Sequence, residues 1–131
     1  MAFDEIQLMQ FFVCEDFEAD AQQDSYTAGK VQCNLSAPEF PHNFSNLVVV
    51  TCWRKDSRFH KEVIEYETDY GSSIRTPHMD IEPVRGSVIF RWHRHPFPPN
   101  FPIEKPTHLT IRVFLDMKLK FESYLLIEKK G

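Results

Sequence analysis

The chain has 131 residues, the usual length of one domain, and we predict a single domain over residues 1–131. Its formal net charge is −4, with acids and bases interspersed. This argues against a nucleic-acid partner, because proteins that bind nucleic acids usually present a basic surface to the phosphates. An aromatic content of 14% excludes a disordered chain, and no apolar run approaches the ~20 residues of a membrane span.

The first residues and the cysteines bear on the cellular compartment. Residues 1–5 include two acids, where a secretory signal would have a basic segment and then an apolar core. The three cysteines, Cys14, Cys33 and Cys52, match no zinc-binding spacing, and any disulfide would leave one thiol unpaired. We therefore expect a cytoplasmic protein whose thiols are reduced and buried.

Apolar and polar residues alternate with a period of two along most of the chain, which indicates half-buried strands. The segment over residues 47–53 is apolar throughout, so we expect a central strand that is covered on both faces. In the segment over residues 88–93, Val88, Phe90 and Trp92 are expected to face the core. The predicted strands run over about residues 6–14, 29–35, 47–53, 64–70, 88–93, 108–115 and 119–127. About seven strands predict an all-β fold, a two-sheet antiparallel sandwich of the Ig-like or C2-like kind.

The last two strands should form a hairpin. The residues of the last strand that are expected to face the core are Leu119, Phe121, Leu125 and Ile127. Pairing Val113 with Phe121 keeps both on the core face, and this register requires a three-residue turn at residues 116–118. The same register places Arg112 opposite Glu122, a favourable cross-strand pair.

A proline-rich segment, residues 96–106, precedes this hairpin. Proline cannot donate to a ladder, so the segment should leave the sheet or follow an edge. We expect Phe97 and Phe101 within it to close the end of the sandwich.

The order of these segments resembles a known family. An apolar strand and an acidic loop precede a short strand, then Pro-Glu-Phe-Pro at residues 38–41 and an aliphatic strand. Residues 97–102 and the hairpin sequence Leu-Thr-Ile-Arg-Val-Phe-Leu-Asp follow. This order is similar to that of a family of small bacterial β-sandwich proteins of unknown function. The resemblance implies the fold and no active site. That family usually has Gly after the Asp of the terminal turn, where this chain has Met117.

Two histidines form the first candidate site. His93 and His95 are two residues apart on a predicted strand, close enough to share a metal ion. A third ligand would come from His42, His60 or His108. Because Phe90 and Trp92 are expected inside, both histidines should lie outside the core. The favoured interpretation is therefore two exposed histidines, with no metal and no cofactor.

An acidic stretch forms the second candidate site. C2-like loops hold calcium with clustered carboxylates from two loops, and this chain has no second acidic loop. We expect a solvated loop and leave weak calcium binding as the alternative. The stretch contains Glu15, Asp16, Glu18, Asp20 and Asp24.

No catalytic motif is found. The chain has no Gly-x-Ser-x-Gly sequence and too few glycines for a phosphate-binding loop, so we do not expect an enzyme.

The remaining feature is an apolar set on the nominally outer face of the terminal hairpin: Phe114, Tyr124 and Leu126. Exposed apolar patches usually mark interfaces. We predict a non-catalytic interaction or scaffold module, such as a subunit or accessory of a larger assembly, that binds a protein partner or itself. The proline-rich segment could instead cover these residues.

Two alternatives stay open. One is a small-ligand or carbohydrate-binding sandwich in which an aromatic ring provides a stacking platform; its candidates are Trp53, Trp92, Tyr66 and Tyr70. The other is a metal-binding protein that uses His93 and His95.

Overall fold

A computed structural model describes residues 5–20 and 25–131. These residues form an all-β fold in which sheets pack against each other around a common core, so the predicted fold class is confirmed. The described part of the chain holds no helix that is both long and apolar enough to cross a membrane.

Eleven strands are found within the described residues, in two main sheets and a small ribbon. The first sheet has the order β1-β5-β9; the second has the order β4-β11-β10-β6-β7, with β8 also paired to β6; β2 and β3 form the ribbon. Strands β4 and β11 pair in parallel and the other pairs are antiparallel. The bounds are β1 Gln7–Cys14, β2 Asp16–Ala19, β3 Tyr26–Gly29, β4 Asn34–Ala37, β5 Val48–Arg54, β6 His60–Glu67, β7 Ser73–Arg75, β8 Met79–Ile81, β9 Phe90–Pro96, β10 Thr107–Leu115 and β11 Lys118–Lys129.

Six of the seven predicted strands correspond to observed ones, and the segment over residues 29–35 was wrong. It divides into the end of β3 and the start of β4, because the chain turns between them with Lys30 at a positive φ of 49°. Strands β2, β7 and β8 have only three or four residues, too few for an alternating pattern to be recognised.

The main core lies between the two large sheets. Phe97 and Phe101 of the proline-rich segment pack into it, as the sequence predicted. Burial of such side chains stabilises the fold by about 1.5–3 kcal/mol each. The core contains Val13, Leu35, Leu47, Val49, Trp53, Ile64, Tyr66, Ile81, Phe97, Phe101, Ile103, Leu109, Ile111, Val113, Leu115, Leu125 and Ile127.

The β2–β3 ribbon covers the second face of β5. Val48 and Val50 point away from the main core and form a second cluster with Phe17 of the ribbon. The Phe17 ring lies 5.1 Å from the ring of Tyr26 and 5.6 Å from that of Trp92. The cover that the all-apolar strand required therefore comes from this chain itself.

The terminal hairpin has the predicted register. Val113 pairs with Phe121, and Arg112 pairs with Glu122. Arg112 donates to the Glu122 carboxylate at 2.7 Å, and it also donates to two carboxylates of β6 at 2.9 and 2.7 Å. These four side chains form a polar network on the outer face of the six-stranded sheet.

The predicted three-residue turn was wrong. Leu115 pairs with Lys118, so the turn has two residues, Asp116 and Met117, at φ values of 50° and 69°. Positive φ at both positions defines a type I′ turn, whose twist matches that of the strands. A bulge at Lys120 then restores the register that the core requires.

Three further expectations about burial were wrong. Leu119, expected in the core, is 51% exposed because the bulge pairs it with Phe114 on the outer face. Phe121, also expected in the core, is 38% exposed near the turn, where its ring packs against that of Phe11. Cys33 is exposed because it lies between strands, whereas Cys14 and Cys52 are buried as predicted. Burial raises the pKa of the Cys52 thiol to about 11, which makes it unreactive.

Met117→Gly should stabilise the protein by about 0.5–1 kcal/mol, because glycine adopts a positive φ without the strain that a Cβ imposes. The Met117 side chain is 92% exposed, so its loss removes little packing. Urea unfolding measures the change. Met117→Ala is the control: it removes the same side chain but keeps Cβ, and an equal gain from it would contradict the turn argument.

Candidate metal-binding site

The structure reverses the predicted faces of β9. His93 and His95 are buried, with 8% and 1% exposure, and Phe90 is 43% exposed. The expectation that the histidines lie outside the core was wrong because the ribbon covers the other face of β9 and takes up Trp92. Both faces of this strand are covered, so the aromatic residues did not have to point into the main core.

Glu62 of β6 meets the two histidines from the opposite sheet. It is fully buried, on the same face of β6 as Ile64 and Tyr66. Glu62 was not among the predicted site residues, because the predicted strand began at residue 64. The alternation of Ile64 and Tyr66, continued two residues back, would have placed Glu62 inside.

One carboxylate oxygen is the centre of the cluster. Glu62 Oε1 lies 2.6 Å from His93 Nδ1 and 2.9 Å from His95 Nε2. Thr51 donates its hydroxyl to the same oxygen at 3.1 Å, and Trp53 donates Nε1–H to Oε2 at 2.7 Å. Among residues 5–20 and 25–131, this is the only group of three or more potential metal ligands whose atoms converge, all within 4.8 Å of one another.

The surroundings of Glu62 keep its carboxylate ionised. Burial by itself would raise the pKa, but hydrogen bonds from His93, His95 and Trp53 outweigh it and lower the pKa to about 2. A buried negative charge requires a positive partner nearby. That partner is a proton on an imidazole or a metal ion.

Both ring nitrogens of His93 face oxygen acceptors. Its Nε2 is 3.2 Å from the carbonyl oxygen of Asp80, which can only accept, so Nε2 carries a hydrogen. Its Nδ1 faces Glu62 Oε1, which is also an acceptor. Two acceptors cannot approach to 2.6 Å unless a proton or a metal ion lies between them.

Two buried polar atoms next to this cluster have no partner within the described part of the chain: His95 Nδ1 and the Tyr66 hydroxyl. Burial and the negative charge of Glu62 raise the pKa of Tyr66, so its hydroxyl is neutral and lies in the field of the carboxylate. Buried polar atoms without a protein partner indicate a bound water, ion or ligand.

The other metal-site candidates do not join the cluster. His42, His60 and His108, the third ligands considered from the sequence, are outside the converging group. In the acidic stretch, Glu15 pairs with Lys30 at 3.6 Å and Asp20 accepts from Ser25 at 2.7 Å, while Asp16 and Glu18 lie on β2. Asp24 lies outside the described residues.

The hairpin residues predicted to bind a partner are exposed to different degrees. Tyr124 is 63% exposed, and its hydroxyl donates to Glu122 at 2.6 Å. Phe114 is half-buried, with the Arg75 guanidinium 4.6 Å above its ring, and Leu126 is also half-buried. Of the predicted stacking residues, Trp53 and Tyr66 are buried, whereas Trp92 and Tyr70 are half-buried.

A third buried histidine, His60, holds the hairpin turn in place. His60 Nδ1 lies 2.5 Å from Asp116 Oδ2, and His60 Nε2 lies 2.8 Å from Asp56 Oδ1. Asp56 also accepts the backbone N–H of Ile6 at 3.2 Å, and Asp116 accepts that of Lys61 at 3.0 Å. The bridge thus ties the turn and the segment before β1 to the start of β6.

A scan against protein-family models found no match to this chain, and a search of curated proteins found none either.

The Asp56–His60–Asp116 bridge should make stability depend on pH. Burial opposes ionisation of both carboxyls, but hydrogen bonds outweigh it and lower the pKa of Asp56 and of Asp116. The stability that these two carboxylates add to the folded state is fully present above their unfolded-state pKa of about 4. It is lost as the pH falls through their lower pKa in the folded state. Urea unfolding from pH 6 to pH 3 should show this loss in the wild type.

Asp56→Asn is the matched test, because it keeps the shape and removes the charge. We expect it to be less stable at pH 6 by about 2 kcal/mol and to lose less on acidification. Glu39→Gln, at an exposed position, is the control. An Asp56→Asn variant with the acid dependence of the wild type would show that the bridge is not its source.

Proposed function

We propose that the protein binds a divalent transition-metal ion through Glu62 Oε1, His93 Nδ1 and His95 Nε2. The observation that carries this proposal is the convergence of two imidazole nitrogens on one ionised carboxylate oxygen in the interior, at 2.6 and 2.9 Å. Each ligand comes from a strand of a packed sheet, so its position is fixed by the fold.

The donor set suits zinc. Two histidines and one glutamate are a common zinc set, with bonds of about 2.0–2.2 Å. In a tetrahedral site such bonds separate neighbouring ligand atoms by roughly 3.3–3.6 Å. Insertion of the ion therefore requires the distances from Glu62 Oε1 to the two histidine nitrogens, now 2.6 and 2.9 Å, to widen by roughly 0.4–1 Å. Three protein ligands leave a fourth position open.

The groups around the ligands support the same proposal. The Asp80 carbonyl accepts from His93 Nε2, which leaves Nδ1 free to bind the ion. Thr51 and Trp53 donate to the Glu62 carboxylate and hold its orientation. These are the outer contacts that orient ligands in metal sites.

The ion would connect the two large sheets, because Glu62 lies on β6 and both histidines lie on β9. Because all three ligands are buried on packed strands and no catalytic motif accompanies them, we propose a structural or regulatory metal in a protein that is not an enzyme. Since the ion binds the folded state, its binding should stabilise the fold.

Zinc binding tests the proposal. Zinc added to untagged, metal-free protein should bind at one site and raise the melting temperature; at 100 times Kd the gain is about 2.7 kcal/mol. Glu62→Gln, which has the same shape without the charge, should weaken binding at least ~10–100-fold. Calorimetry measures affinity and stoichiometry.

His78→Ala is the matched control, since this histidine is near the site but its side chain is 53% exposed. It should bind zinc like the wild type. If the wild type binds no zinc ion, or if Glu62→Gln binds zinc as tightly as the wild type does, the proposal is wrong. The cluster would then be a polar network in which protons, and not a metal ion, lie between Glu62 and the histidines.

A second proposal is the interaction module predicted from the sequence, with the terminal hairpin as its surface. Supporting observations are the exposure of Tyr124, at 63%, and of Leu119, at 51%, on β11. Phe114 and Leu126 lie on the same outer face as Tyr124. A protein partner or a second copy of this chain would cover this surface.

Light scattering after size exclusion tests self-association through this surface. If two copies pair there, the wild type should have the mass of a dimer, and Tyr124→Lys with Leu126→Lys should give monomers. Phe59→Lys is the control, because Phe59 is 55% exposed outside the strands. A monomeric wild type would exclude self-association, and pull-down with the wild type and the double variant would then test for another partner.

A further inference from the structure

A groove of about 370 Å³ borders the proposed metal site. Its wall includes His95 together with apolar residues of the β7–β8 connection and of the proline-rich segment, among them Ile74, Pro77, Met79 and Pro98. This volume is within the range of small-molecule sites, which are mostly apolar with a few polar groups.

A second residue connects the groove to the cluster. Met79 of β8 is the register partner of Glu62 on β6, so the two side chains are neighbours on one face of the sheet. The groove therefore meets the cluster at two points, Met79 beside Glu62 and His95 itself.

We infer that this groove binds a small carboxylate with an apolar body, which accepts a hydrogen bond from His95 Nδ1 when a metal ion occupies Nε2. The inference rests on the proposed metal site and extends it to a ligand.

The tautomer of His95 links the two events. A nitrogen that ligates a metal ion carries no hydrogen, so metal at Nε2 places the ring hydrogen on Nδ1. Histidine ligands almost always donate that hydrogen to a carboxylate, a carbonyl or water. His95 Nδ1 is buried and has no acceptor within residues 5–20 and 25–131, so the acceptor has to come from outside them.

The chemistry of the groove selects the ligand class. The wall contains no Asp or Glu. Its Arg75 and His78 are already paired, with Glu65 at 2.7 Å and with Asp80 at 3.6 Å, so the acceptor that His95 lacks, and not the charge of the wall, decides the ligand class. The apolar side chains favour a hydrocarbon body over a sugar. A carboxylate supplies the acceptor that His95 requires.

Benzoate is a suitable probe, with benzyl alcohol as its neutral counterpart. Titrations followed by NMR should give at least ~10-fold tighter benzoate binding to zinc-loaded than to metal-free protein, with shifts at Thr76, Met79 and Asn100. By linkage, benzoate should tighten zinc binding by the same factor. Benzyl alcohol should bind both forms weakly.

Asn100→Asp adds a negative charge to the groove wall without a change of shape. It should weaken benzoate binding about threefold and leave benzyl alcohol binding unchanged. Cobalt(II) in place of zinc reports on the metal itself: its visible spectrum should stay unchanged when benzoate binds, because the carboxylate accepts from His95 and does not ligate the ion.

The outcomes separate the two proposals. If zinc does not bind the wild type, the proposed function and this inference both fail. If zinc binds through Glu62 but benzoate binds the two forms equally, only the inference fails, and a water molecule is the partner of His95 Nδ1. A benzoate-dependent cobalt spectrum would overturn the hydrogen-bond assignment, because the carboxylate would then be a metal ligand.

Discussion

The buried carboxylate of Glu62 is the constraint on which the interior of the sandwich depends. An ionised oxygen between two sheets requires several donors at close range, and four side chains from β5 and β9 provide them. The three-stranded sheet must therefore keep one position relative to the six-stranded sheet. Apolar packing alone would allow other alignments, because hydrophobic contact has little directionality.

The cover on β9 makes this arrangement possible. The β2–β3 ribbon packs Phe17 against Trp92, so the outer face of β9 is apolar while its inner face presents two histidines. A strand with one solvated face would have placed its aromatic residues inside and its histidines in water. A short ribbon of two four-residue strands thus decides what the core can contain.

Charged side chains also connect strands outside the Glu62 cluster. His60 connects the turn of the terminal hairpin to Asp56, and Arg112 connects the strands of the outer face. Each also joins groups that are far apart in sequence, His60 with Asp116 and Arg112 with Glu65, which become neighbours through strand pairing. The buried bridge constrains the fold more than the outer network does, since solvent screens exposed charges.

Local pattern by itself determined the all-β class, the position of six strands, and the pairing of Val113 with Phe121, since period-two alternation and the register of a hairpin are local properties. It also identified His93 and His95 as candidate ligands. Only the tertiary structure decided that these histidines face inward and that Glu62 meets them, because both depend on which sheet or ribbon covers each face. The two-residue type I′ turn at Asp116 and Met117 was not evident from the sequence either. A bulge in β11 compensates for the turn being one residue shorter than predicted, and packing in the core fixes the register beyond that bulge.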